Sequence, residues 1–261
     1  MFSMFRRSLI LLALLQLVAC APWQRDRSGA LADVKDSSTP WASVSVGHRT
    51  SGVWKDFRFP GKSSSQFNYA NEDGRDAMLA VANSSASMWR QAVHVEPGEL
   101  GSIRFSWKVA DLIAGADMAL READDSPVRI VLAFDGDRGK FSAKNAMLSE
   151  LARMLTGEEL PYATMMYVWC NACKRDSVIV NPRTDRVRKL VLESGARSLN
   201  RWMDYERVIR EDFEKLFGEA PGALVSIALM TDTDNTKTAT KAWYGPVNLV
   251  PYCTAKNAPV H

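Results

Sequence analysis

Asp232-Thr233-Asp234-Asn235-Thr236 is the densest run of oxygen donors in the 261-residue chain. Alternate oxygen ligands in a short loop suit a hard cation such as Ca²⁺, so Asp232, Asp234 and Asn235 are the candidate metal ligands. An EF-hand is excluded, because Lys237 stands where that loop needs Gly and Trp243 where it needs Glu. Asp and Asn also close turns through their own side chains with no ion bound, and that reading is at least as good. A third reading makes the loop a set of polar contacts to a ligand, with Trp169 and Tyr244 offering flat faces to a sugar. Against it, a Trp in an apolar strand is more often plain core. Arg129 sits within the apolar run Val128–Phe134, where a cation is costly unless paired. Asp124, Asp125, Asp232 and Asp234 are its candidate partners, and a charge poised for ligand is the alternative to structural pairing.

Cys170-Asn171-Ala172-Cys173 has the spacing of a thioredoxin-type redox pair. That chemistry needs the first cysteine at a helix N-terminus, whereas Val178-Ile179-Val180 and Pro182 follow here. A disulfide is the expectation, within the pair or from one member to Cys253. A zinc site has no fourth ligand nearby, since His48, His94 and His261 are scattered. The P-loop, the Gly-x-Ser-x-Gly elbow, the His-Glu-x-x-His helix and the dinucleotide glycine motif are all missing. Glycoside hydrolysis by paired carboxylates needs only spatial proximity, and Glu193, Asp232 and Asp234 are the first residues to suspect.

These groups need a scaffold, and its outline is legible. Residues 1–20 carry Arg6 and Arg7 and then an apolar run from Leu9 to Ala19. That run is too short to cross a bilayer, which takes about 20 helical residues, and reads as a secretory signal. It ends in Leu17-Val18-Ala19-Cys20, which resembles the bacterial lipobox, so Cys20 is the expected site of acylation. Ala21 in place of Asp points to the outer membrane, facing the periplasm. Removing the signal lowers the net charge from +3 to +1, which gives nucleic acid no attraction. Residues 21–50 read as a polar tether.

From residue 51 onward, short alternating segments recur between turn residues. Ile103, Phe105, Trp107 and Val109 alternate with Arg104, Ser106 and Lys108 in a period of two. Val53–Phe59, Ala77–Ala82, Ser87–Val93, Val128–Phe134, Thr164–Trp169, Val187–Glu193, Leu224–Thr231 and Ala242–Val250 are further strands by pattern. Two helices are expected. One is Lys144–Leu155, with a stripe of Met147, Leu148, Leu151 and Leu155. The other is Leu199–Phe217, with Gly218 placed to end it. The sum is one mainly β domain, 51–261, a jelly-roll-like β-sandwich with helices at its margin.

Several motifs together resemble one bacterial family. They are Pro161–Trp169, Asn181-Pro182 with Thr184-Asp185-Arg186, Val191–Gly195, Trp202 with Tyr205-Glu206-Arg207, Asp212-Phe213 with Phe217-Gly218, and Met230–Thr236 followed by Trp243-Tyr244-Gly245. The chain resembles domain-of-unknown-function family 3047 from about Val53 to Val250. The resemblance implies a secreted β-sandwich and carries no activity with it. The expectation is therefore a lipid-anchored envelope protein that binds a saccharide or cell-wall glycan without catalysis. Arg129, Trp169, Asp232, Asp234, Asn235 and Tyr244 are its candidate contacts, and structural Ca²⁺ is the candidate cofactor. A polysaccharide hydrolase or lyase, or an outer-membrane scaffold, is the alternative.

Overall fold

The computed structural model of the protein describes residues 39–46 and 52–252. The signal, Cys20, most of the tether, Cys253 and the C-terminal residues lie outside the described residues.

Strands alternating between apolar and polar side chains assemble into two sheets, each closing one side of a shared core. The first sheet runs in the order β1 (Lys55–Arg58), β4 (Ala86–Val95), β11 (Leu224–Asp232), β6 (Ser126–Phe134), β7 (Ala163–Cys170), β9 (Val187–Ser194) and β8 (Val178–Val180). The second runs β10 (Met203–Val208), β5 (Ser102–Val109), β12 (Ala239–Tyr244), β3 (Arg75–Asn83) and β2 (Gln66–Glu72), with β13 (Asn248–Val250) also paired to β5. Every pairing is antiparallel except β7 with β9. The strand β6 is buried at all nine positions, as its apolar residues on both faces require of a covered strand, with Ser126 and Arg129 buried among them. The architecture is a jelly-roll-like β-sandwich, as the strand pattern predicts.

Between the sheets, Phe105 stacks on Tyr167 and Tyr205, both at 5.4 Å. Helix α3 (Ile209–Phe217) closes one end of this core with Ile209, Phe213 and Leu216. It ends at Gly218, whose φ of +69° is cheap for glycine and costly for any side chain with a Cβ. Helix α1 (Pro40–Val44) starts at Thr39, whose hydroxyl accepts from the Ala42 amide.

Three expectations need correction. The tether does not extend through residue 46: Trp41 is wholly buried and meets Trp54 edge-on at 5.0 Å. The expected helix Leu199–Phe217 is a strand, β10, followed by a shorter helix. Met203, Tyr205 and Arg207 pair with Trp107, Phe105 and Ile103, so period-two burial on a sheet edge overrides helix propensity there. The third concerns helix α2 (Ala143–Thr156). Its buried residues are Asn145 and Ser149, while Met147, Leu151 and Leu155 of the expected stripe face outward, as does Met154 beside them, and Leu148 is half-buried. Polar anchors explain the inversion. Asn145 donates to Asp185 and accepts from the Thr184 hydroxyl, at 2.7 and 2.8 Å, and Ser149 accepts from Arg138 at 3.2 Å.

Candidate ligand-binding site

The outer face of the first sheet carries a strip of charge that runs from β11 across β6 to β9, with β7 between the last two. Asp232 ends β11, Arg129 sits mid-strand on β6, and Lys189 lies on β9. The segment 111–125 folds over them and adds Asp124 and Asp125. Arg129 donates from Nε to Asp232 Oδ1 at 3.0 Å and from Nη2 to Oδ2 at 3.1 Å. The same Nη2 reaches the Asp124 carbonyl at 2.9 Å and its carboxylate at 3.1 Å. Lys189, with no exposed side-chain surface, donates to Asp124 Oδ1 at 2.6 Å and to the Met118 carbonyl at 3.1 Å. Two cations and two carboxylates balance, and the roof is held down by charge-assisted hydrogen bonds.

Burial and partners pull these groups in different directions. Burial works against the Arg129 charge, but Asp232 and Asp124 hold its pKa above the ordinary value. Burial would raise Asp124 too, yet Arg129 and Lys189 outweigh it and hold its carboxyl low. Lys189 is lowered to about 8, chiefly by burial and then by repulsion from Arg129. Asp232 is pushed up to about 6 by burial, with Arg129 opposing the rise.

The loop after β11 is built from outside itself. One carboxylate, that of Asp125, receives the Asn235 amide nitrogens at 3.2 and 3.0 Å and the Thr236 amide and hydroxyl, both at 2.7 Å. Asp125, Asp232 and Asp234 each place a carboxylate oxygen within 4.8 Å of the others. This is the donor set expected of a hard cation, but its oxygens are engaged. Lys62 Nζ donates to Asp234, Arg129 takes both Asp232 oxygens, and Asn235 turns its donating nitrogen inward to the Asp124 carbonyl and Asp125. A Ca²⁺ bound here would have to displace the Lys62 ammonium.

The remaining candidates are enclosed. Trp169 is wholly buried, and its indole donates to the Gly195 carbonyl at 3.1 Å. Tyr244 is wholly buried as well, its hydroxyl between Thr231 and the Met230 carbonyl at 2.9 and 2.7 Å. Neither ring presents a face to solvent. Glu193 is 3% exposed and holds the Tyr205 hydroxyl at 3.3 Å and the Ser194 amide at 3.1 Å. Cys170 and Cys173 are joined by a disulfide, with Cα atoms 5.6 Å apart, which resolves the pairing that the spacing left open.

Among the described residues an accessible concavity lies elsewhere, on the outer face of the second sheet. A groove of about 660 Å³ lies where the chain leaves β12 and passes through Gly245-Pro246 to β13. Its polar lining comes from Arg75 and Asp76 on β3, Arg104 on β5, Asp204 and Glu206 on β10, and Asn248 on β13. The strand registers explain the gathering. Glu206 lies opposite Arg104, which in turn lies opposite Asn248. Arg104 pairs with Glu206 at 3.0 Å and Arg75 with Asp204 at 2.8 Å. The Arg75 guanidinium stands 5.2 Å over the Trp202 ring. Sequence reasoning missed this site because its residues come from four separated strands. The one signal was the polar half of the 104–108 alternation.

The chain belongs to a family described as protein of unknown function (DUF3047), whose model matches residues 52–248. No curated protein gives a match. Among solved structures, a cellulase derived from the Cel12A enzyme of Rhodothermus marinus aligns at 9% identity, over 77% of this chain and 98% of that one, with a TM-score of 0.40. The xyloglucanase domain of NopAA from Sinorhizobium fredii, solved with cellobiose, aligns at 7% identity over 76% and 98%, with a TM-score of 0.35. Endoglucanase 3 of Trichoderma harzianum, from family GH12, gives 6% identity over 76% and 98%, at 0.32. At these scores the likeness carries no argument about chemistry.

Proposed function

We propose that the protein is a lipid-anchored envelope protein whose β-sandwich binds a saccharide, without catalysis, in the groove of the second sheet. The observation that carries the reading is the groove's lining. Paired guanidiniums and carboxylates stand at the solvent edge of an open concavity, with side chains of Arg104, Glu206, Arg75 and Asp204 between 45% and 64% exposed. Such pairs present fixed donors beside fixed acceptors, the pattern that vicinal hydroxyls satisfy. Two guanidiniums against three carboxylates leave a polyanion nothing to gain, so a hydroxyl-rich neutral glycan fits best.

The test is calorimetric titration of the chain from Ala21 to His261 with neutral envelope and plant-type oligosaccharides. Arg104→Ala with Glu206→Ala is expected to weaken binding at least tenfold at unchanged thermal stability, since both side chains are exposed. Equal affinity in the double variant removes the groove from the reading.

One observation favours a hydrolase as the second reading: Asp204 and Glu206 project from the same face of β10, two residues apart. Release of new reducing ends, lost in Asp204→Asn or Glu206→Gln, would replace binding by hydrolysis.

A further inference from the structure

Helix α2 wears its apolar side outward. Met147 is 66% exposed, Leu151 45%, Met154 67% and Leu155 61%. At roughly 100° per residue these four and the half-buried Leu148 fall within an arc of about 120°. Lys144 lies in the same arc, one turn before Leu148. The opposite face is fixed to the sandwich by Asn145 and Ser149, so the stripe cannot turn inward without breaking those hydrogen bonds. A soluble protein gains nothing by holding an apolar helix face in water, and such a patch marks a docking surface.

We infer that this face of α2 docks on the lipid surface of the membrane to which the chain is anchored, which makes it a second contact beside Cys20. The inference rests on the anchoring part of the proposed function. The tether supports this occupant. From Ala21 to Ser38 the chain has 18 residues, an extended reach of about 60 Å at roughly 3.3–3.6 Å per residue. A folded domain of about 210 residues has a radius of gyration near 17 Å, so any face can be brought to the bilayer. Tethering also holds the helix at high effective concentration over the lipid. The composition fits an interfacial helix: Met and Leu would sit in the acyl boundary, while Lys144 would extend its ammonium back to the headgroups. Among the described residues Lys144 has no ion pair, so its charge is available to anionic lipid.

The test separates this contact from acylation. Every described strand and the described core lie within residues 39–252, so the chain from Ala21 to His261 keeps the fold while lacking both the signal and Cys20. Its partitioning onto vesicles of phosphatidylethanolamine and phosphatidylglycerol is measured by co-sedimentation at millimolar lipid. Binding is expected, reduced at least tenfold by Leu151→Glu with Met154→Glu, at unchanged near-ultraviolet circular dichroism. Both positions are exposed, so the variant has no reason to misfold. No binding by the parent chain overturns the inference, as does equal binding by the variant. A concentration-dependent dimer in the parent that the variant abolishes would overturn it too, assigning the face to a second copy. None of these outcomes depends on whether Cys20 is acylated, which labelled palmitate reads separately on the full chain.

Discussion

At the scale of single residues, the Arg129 cluster shows how a charge is kept inside an apolar sheet. Removing either partner of a buried pair leaves the other uncompensated, which costs about 3–5 kcal/mol, so such groups act as a set. Their titration separates them. Asp232 is raised from 3.8 to about 6 by burial. Between about pH 4 and 6 the folded chain therefore holds a proton that the unfolded chain has released. This contribution to stability is absent above pH 6 and grows as the pH falls through that value. Asp124 has the opposite sign, but its loss comes below its ordinary value of 3.8. Lys189, lowered to about 8, holds its proton below about pH 7, so the window from pH 7 to 5 isolates Asp232. Urea unfolding of the parent is expected to gain on the order of 1–3 kcal/mol over that interval relative to Asp232→Asn. Parallel pH profiles for the two proteins would show that Asp232 stays ionised throughout.

At the scale of elements, legibility followed the periodicity. Strands β5, β6, β7, β9 and β11 were readable because alternation or an unbroken apolar run coincides with what the sheet buries. Strand β2 was not, since Gln66–Glu72 is polar and borders the sheet edge. Helix α2 was found in sequence, but its orientation was not, because a stripe of Met and Leu says which residues share a face and not what that face meets. The site was legible only as chemistry. The sequence brought Arg129 and Asp232 to attention, and the fold spends them on holding segment 111–125. The groove is assembled from residues 75, 104, 204 and 248, whose proximity is a property of register alone. The start of the domain was also hidden, because Thr39–Val46 has too little apolar pattern to mark a helix. Trp41 nonetheless contributes a wholly buried indole to the core, and Trp41→Ala is expected to cost about 3–5 kcal/mol in chemical denaturation. A loss below about 1 kcal/mol would place residues 39–46 outside the cooperative unit.

At the scale of the whole molecule, two proposed membrane contacts have different strengths. A single acyl chain gives only marginal, reversible binding, and stable attachment takes a second signal. Acylation of Cys20 with several chains would anchor the protein alone, and the face of α2 would then set which side of the sandwich meets the lipid. The dependence can be read in cells through Cys20→Ser. Full-length protein is expected to partition into the detergent phase of a Triton X-114 extract and to incorporate labelled palmitate. The Cys20→Ser form is expected to lose the label and to move to the aqueous phase, because four partly exposed apolar side chains on α2 hold far less apolar area than the acyl chains they accompany. An unlabelled protein that is aqueous in both forms would make the first twenty residues an ordinary cleaved signal, and would remove the tether from the argument for α2, leaving vesicle binding by the chain from Ala21 to His261 as its test.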